Sequence, residues 1–246
     1  MNRSTALAAI VGMAVALGCW WLPAADQTIE VLHVSVRLQN ELAAVLQEAG
    51  AADLFEVVQV GLEDFIGGNP QDLSNFNAIV FGISDAYEIE FDLQLGRLAE
   101  LKSYVANGGG IFWTHDSLEL GQSYGAEIED PAGIQSSDIR LVGIDVSEIE
   151  ICADHEVLHA PFEIGAVGDI FPKTIDIYGQ YDHATNGIAT TASIIIRHRL
   201  PPDPRNFYLT VNEYEAGRVA MTSFGHVLLG HPSARTSALD RINIHS

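Results

Sequence analysis

A chain of 246 residues, 48% of them hydrophobic, is long enough for one domain of roughly 200 residues with a sizeable core. Its 33 acidic residues against 12 lysines and arginines leave a formal net charge of −21, a surface that repels nucleic acid and anionic lipid headgroups and excludes both as partners. Cys19 and Cys152 are the only cysteines; if Cys19 leaves with a leader or is lipidated, no internal disulfide can form and the core must hold the fold without one.

Residues 1–25 stand apart. Arg3 is the only early charge, Ala6 to Leu22 is almost wholly apolar and small, and Ala24-Ala25 offers a small-residue end, the pattern of a secretory leader. The apolar run is also long enough for an uncleaved anchor, and Ala16-Leu17-Gly18-Cys19 loosely resembles a lipoprotein box. Each form implies export, to the periplasm, the medium or a membrane anchor, with a mature chain that begins between Cys19 and Gln27. Membrane contact is then expected only through an uncleaved or lipidated N-terminus, and residues 27–246 form a single domain.

From Ile29 the chain alternates. Ile29 to Val36 reads as a strand and Gln39 to Ala49 as an amphipathic helix ending at Gly50. Phe55 to Val60 and Asn77 to Ile83 read as further strands around a loop at Gly67-Gly68-Asn69-Pro70. Phe91, Leu95, Leu98, Leu101 and Val105 fall on one helix face, which Asn107-Gly108 ends, since a helix commonly stops on a residue with positive φ. Gly109 and Gly110 turn the chain into Ile111-Phe112-Trp113, an apolar run suited to a strand covered on both faces. Strand–helix–strand alternation predicts an α/β fold with a parallel sheet and right-handed crossovers. Beyond Gly121 the pattern loosens. Short strands are expected at 139–144, 147–151, 174–178 and 193–197, then a hairpin of Phe207 to Tyr214 and Arg218 to Phe224 turning at Gly217, and a partial helix over 233–246.

Polarity changes abruptly at Thr114-His115-Asp116-Ser117. Ligands of open α/β sheets bind at the carboxyl ends of the strands, so His115, Asp116 and Ser117 are the first candidates for a site. His115 suits a general base or ligand contact with Asp116 orienting it, while Asp116 or Ser117 equally suits a helix N-cap. Ser117 lacks the glycines of a G-x-S-x-G elbow, since His115 and Glu119 take those positions. His226, at the end of the hairpin's second strand, and Glu213 on its partner strand are secondary candidates to close the same pocket; Arg218 reads as structural. His155-Glu156-Val157-Leu158-His159 matches the H-E-x-x-H pattern of a zinc-protease helix, making His155 and His159 metal-ligand alternatives. Pro161 ends any helix at once, and Phe162 and Gly165 break the extended pattern. Cys152, among Glu150, Asp154 and Glu156, has the wrong electrostatic setting for a reactive thiol and reads as a small buried hydrophobe.

LKSYVANGGGIFWTHDS resembles the helix–GGG–strand segment of the class I glutamine amidotransferase-like superfamily, and is most similar to its trehalose-utilisation (ThuA-like) branch. NFNAIVFG is similar to the preceding core strand. DHEVLHAPFEI is similar to that branch's His-Pro-hydrophobic segment, with Glu156 where proline is usual, and NEYEAGRVAMTSFGH to its terminal hairpin. Together the pieces span roughly residues 29 to 231. The resemblance implies a flavodoxin-like three-layer sandwich with a mostly parallel central sheet and a C-terminal β-hairpin. It also implies that the superfamily's nucleophile elbow falls near His115, where no cysteine stands, so glutaminase chemistry is not expected. The expectation is a small-molecule, carbohydrate-related ligand and no cofactor. The alternative is a metal-dependent hydrolase using pocket histidines or HEVLH.

Overall fold

In the computed structural model of the protein, residues 28–35, 41–48, 51–68, 71–81, 95–113, 131–141, 148–159, 164–172, 180–199 and 207–222 are described. The elements, in chain order, are β1 (Ile29–Ser35), α1 (Glu41–Glu48), β2 (Phe55–Gly61), β3 (Ala78–Phe81), α2 (Leu95–Ala106), β4 (Gly110–Trp113), β5 (Ile134–Leu141), β6 (Glu148–Ile151), β7 (Ile170–Pro172), β8 (Gln180–Ile188), β9 (Ala192–His198), β10 (Phe207–Tyr214) and β11 (Gly217–Thr222).

Nine strands form one sheet in the order β2-β1-β3-β4-β11-β10-β9-β6-β7, and β5 pairs with β8 in a separate ribbon. The first five strands of that order run parallel. From β11 onward every neighbour is antiparallel. The sheet is therefore mixed, which corrects the expectation of a mostly parallel one. The physical cause is the hairpin at Glu215-Ala216, which reverses the chain between β10 and β11 and lets β9, β6 and β7 extend the sheet without crossover helices.

The parallel half has the composition that burial on both faces requires. All four residues of β3 and of β4 are buried. Leu42 and Leu46 of α1 join Val31, Val80 and Phe112 in the core on one face. Leu101 and Val105 of α2 join Leu32, Phe81 and Trp113 on the other. Phe81 stacks tilted on Trp113 with ring centroids 4.3 Å apart, and Phe65 meets Phe81 edge-on at 5.4 Å. Each such ring contributes about 1.5–3 kcal/mol through removal from water.

Differences from the sequence reading concentrate after residue 130. The strand expected at 139–144 is displaced to Ile134–Leu141, and β7 and β8 were not anticipated. The strand expected at 174–178, the helix over 233–246 and the leader over 1–25 lie outside the described residues. No helix among the described residues is long and apolar enough to cross a membrane.

Candidate functional site

β4 sits between β3 and β11, parallel to both, with Trp113 in register with Phe81 and Met221. Its approach is built by the glycine run. Gly108 adopts φ 105°, closing the helix through Gly108 N–H to Val105 O at 2.9 Å. Gly109 lies against the Tyr104 ring so closely that a Cβ would collide with it. The Tyr104 hydroxyl donates toward Phe76 O and Gly110 O at 3.3 and 3.4 Å, tying α2 to the starts of β3 and β4. The strand that leads to the polar corner is thus held from both sides. His115, Asp116 and Ser117 themselves, and His226, lie outside the described residues.

Glu213, the other secondary candidate, is described. It pairs in register with Arg218, which pairs with Gly110, the first residue of β4. That is the amino edge, three residues or about 10 Å along the strand from Trp113. There Glu213 accepts from Arg218 Nε at 2.6 Å, and Glu156 accepts from the same guanidinium at Nη1. Arg218, only 7% exposed, is a buried cation held between two carboxylates.

The HEVLH segment forms a single 3-10 turn over Glu156–Leu158, not an α-helix. His155 caps that turn, its Nδ1 accepting from Val157 N at 3.2 Å. Burial, and then the positive Arg218, hold its imidazole below the ordinary histidine range. His159 Nε2 lies 2.7 Å from Asp154 Oδ1, and Glu156 is engaged by Arg218. Among the described residues no group of three or more His, Cys, Asp and Glu side chains is placed to hold a metal. Cys152 is half-buried with its thiol pushed up chiefly by that burial, which disfavours the reactive thiolate.

An open cleft of about 690 Å³ runs between α2 and residues 71–77, lined in part by Asp72, Ser74, Arg97, Glu100, Tyr104 and Asn107. Most of its polar groups are already engaged. Asp72 accepts from both Ser74 N–H and O–H, Arg97 bonds Glu100 and Gln71 O, and Asn107 bonds Ser103. Arg97 Nε is buried with no hydrogen-bond partner among the described residues, while the guanidinium rests 4.2 Å over the Phe65 ring.

The carboxyl edge of β1 contrasts with this. His33 and Ser35 are both fully buried, and His33 Nδ1, His33 Nε2 and Ser35 Oγ find no hydrogen-bond partner among the described residues. Burial alone lowers the His33 pKa to about 4, so the ring is neutral near pH 7. Trp113, at the same end of β4 but on the other face, also buries its indole Nε1 with no partner among the described residues. Sequence reasoning placed His33 and Ser35 in a strand without marking them. The signal was present as two polar residues at i and i+2 in the otherwise apolar stretch Val31 to Val36.

No family model matches the chain, and no curated protein matches it. Among solved structures it is similar to a β-galactosidase from Bacillus circulans sp. alkalophilus (17% identity, TM-score 0.49), over 83% of this chain and 29% of that one. It is similar to a ThuA-like protein from Bacteroides uniformis (10% identity, TM-score 0.48), over 85% of this chain and 86% of that one. It is also similar to a β-galactosidase from the Antarctic haloarchaeon Halorubrum lacusprofundi (12% identity, TM-score 0.48), over 89% of this chain and 31% of that one. The chain therefore spans less than a third of the length of these two β-galactosidases, and none of their activity passes to it through such a likeness.

Proposed function

We propose that this chain is an exported, ThuA-like member of the glutamine amidotransferase-like group. On this reading it is a flavodoxin-like three-layer domain that binds a small, carbohydrate-related ligand and does not hydrolyse glutamine. The ligand site is the carboxyl edge of the parallel strands, with His115, Asp116 and Ser117 at the end of β4 and His226 near it. The observation that carries this reading is the setting of β4: a fully buried strand with parallel neighbours on both sides, whose carboxyl end gives way to Thr114-His115-Asp116-Ser117. Polar residues leaving such a strand face the crevice between crossover loops. The absence of glutaminase chemistry follows from the lack of a cysteine at or near His115, because histidine forms no thioester.

The test is binding of neutral sugars by the purified protein and its His115→Ala variant. The variant is expected to bind at least about tenfold more weakly, the loss of one hydrogen bond to a ligand in a buried setting. Unchanged affinity in a folded variant would reject the site. Export is checked by mass spectrometry of protein from the native host, expected to start between Cys19 and Gln27. Intact Met1 in a cytosolic fraction would reject it.

A further inference from the structure

Among the described residues the nine-stranded sheet ends in β2 on one side and β7 on the other. The two edges are built differently. β7 has three residues and closes on Pro172, which Lys173 follows in the sequence. Proline lacks a backbone donor and a lysine resists burial, and both keep a second strand off a sheet edge. β2 runs over seven residues, Phe55 to Gly61, with neither proline nor lysine among them. From Leu54 to Leu62 the only charged residue is Glu56, in a chain that carries 33 acidic residues. Among the described residues β2 pairs with β1 alone, so alternate residues turn their N–H and C=O groups away from the sheet. Leu54 and Val58 are 45% and 37% exposed at this edge.

We propose that the free edge of β2 is a dimer interface: two copies of this chain pair β2 antiparallel across a twofold axis at Val58 and join their sheets edge to edge. The interface is independent of the ligand site at the carboxyl edge. The strand is self-complementary in this register. Val58 meets its own counterpart, Val57 meets Gln59, Glu56 meets Val60 and Phe55 meets Gly61, so no two like charges stand opposite within the strand. About six to eight backbone hydrogen bonds form. Val58 shares a face with Val60, which packs against the core that holds Phe65 and Phe81, and carries that apolar face out to the axis. The pairing closes on itself, whereas β2 on β7 of another copy propagates into a filament and has only three residues to pair. Size and charge set the strength. The edge is about 23 Å long. Leu42 and Leu46 of α1 lie in the core on one face and Phe65 in the core on the other. With each covering layer about 10 Å from the sheet, a strip about 20 Å wide meets its copy. Some 900 Å² is then buried in total, less than the roughly 1,200 Å² at which standard interfaces begin. Exposed Asp53 and Glu63, flanking the strand, come near each other across the axis, and each copy carries a net charge of −21. The dimer is therefore weak, with a Kd of roughly 10–100 µM, and tightens as salt screens the repulsion.

The test is sedimentation velocity of the full chain from about 1 to 500 µM, in about 0.05 and 0.5 M sodium chloride. A monomer–dimer equilibrium is expected, at least about threefold tighter at the higher salt. Val58→Lys and Val58→Glu each set two like charges side by side at the axis and are expected to weaken the dimer about tenfold or more. Mixing the two variants sets opposite charges there and is expected to restore association. Ile170→Lys, on the β7 edge, is expected to leave the dimer unchanged. Circular dichroism checks each fold, and either Val58 variant carries the test should the other not fold. A monomer at every concentration overturns the proposal and leaves the edge to a different chain. Growth beyond the dimer overturns it in favour of open-ended pairing. Association that survives the Val58 variants, as one through the apolar residues 6–22 would, overturns it too. So does a mixture of two folded variants that associates no better than either alone.

Discussion

His33 makes the stability of this protein depend on pH in a defined direction. Unfolded, its imidazole titrates near the ordinary value of 6.5; folded, burial holds it at about 4. Between those values the unfolded chain binds more protons, so the folded state loses ground as pH falls from about 6.5 towards 4, and the histidine adds no further slope below that. The displacement corresponds to on the order of 3 kcal/mol at full extent. His33→Phe removes the titration, so urea unfolding of the two proteins at pH 7.5 and pH 4.5 is expected to show a smaller acid loss for the variant by about 2 kcal/mol. Equal losses would mean that His33 is protonated in the folded state. Asp72 contributes in the opposite range: the Ser74 hydrogen bonds hold its carboxylate below the usual value, so its part is lost only at still lower pH.

At the scale of elements, the hairpin β10–β11 is locked to α2 by a close backbone approach. Ala216 N–H donates to Ala106 O and Arg218 N–H to Gly109 O, each at 3.3 Å. A Cβ on Gly217 would collide with the backbone of Val105 and Gly109, which no side-chain rotation relieves. Gly217→Ala is therefore expected to cost about 2–3 kcal/mol and to lower Tm by roughly 4–12 °C. Gly108→Ala, where the space is free and only the positive φ opposes it, is expected to cost about 1–2 kcal/mol. A Gly217→Ala protein as stable as wild type by calorimetry would mean that β11 does not dock in this way. The HEVLH turn makes a second expectation at this scale. With His155 capping its own turn and His159 on Asp154, His155→Ala and His159→Ala should each leave ligand affinity and metal content within a few-fold of wild type. Loss of both in a folded variant would restore the zinc reading.

The same elements show what the sequence made legible. β1 to β4 and both helices could be read because each is a local pattern: an apolar run, a three-to-four-residue stripe, a glycine at the stop. Strand direction was not legible, because an apolar run reads alike whether its neighbour is parallel or not; the isoleucines Ile194-Ile195-Ile196 of the antiparallel β9 give the same local signal as Ile79-Val80-Phe81 of the parallel β3. β8, Gln180–Ile188, was missed because QYDHATNGI neither alternates nor runs apolar, and its pairing with β5 is set by residues nearly fifty positions away. Glu213 is a candidate in the sequence only through its place in the hairpin. Which edge of the sheet it occupies is decided by the register of β11 on β4, information that no local pattern contains.

Charge acts on the whole molecule. With 33 acidic and 12 basic residues, one-to-one pairing cannot neutralise more than 12 carboxylates, and at least 21 remain to repel one another. The basic groups are already committed in part: Arg197 to Glu150, Arg199 to Glu148 and Arg97 to Glu100, with Arg218 serving two carboxylates at once. Self-repulsion of this kind destabilises the compact state, and salt relieves it as the Debye length shortens from about 30 Å at 0.01 M to about 10 Å at 0.1 M. Stability is therefore expected to rise with sodium chloride by on the order of 1–2 kcal/mol, a Tm increase of roughly 2–8 °C at this chain length, with most of the gain below about 0.3 M, where the Debye length is already shorter than the spacing of surface charges. The shape of the curve separates screening from a general salting-out effect, which strengthens burial by exclusion from the surface and keeps growing at molar concentrations, more in sulfate than in chloride. Calorimetry from 0.01 to 1 M sodium chloride, repeated with sodium sulfate at matched ionic strength, decides it. Coincident curves that flatten early identify charge repulsion. A Tm that stays constant to 0.3 M and climbs only in sulfate would show that the acidic surface costs the fold nothing.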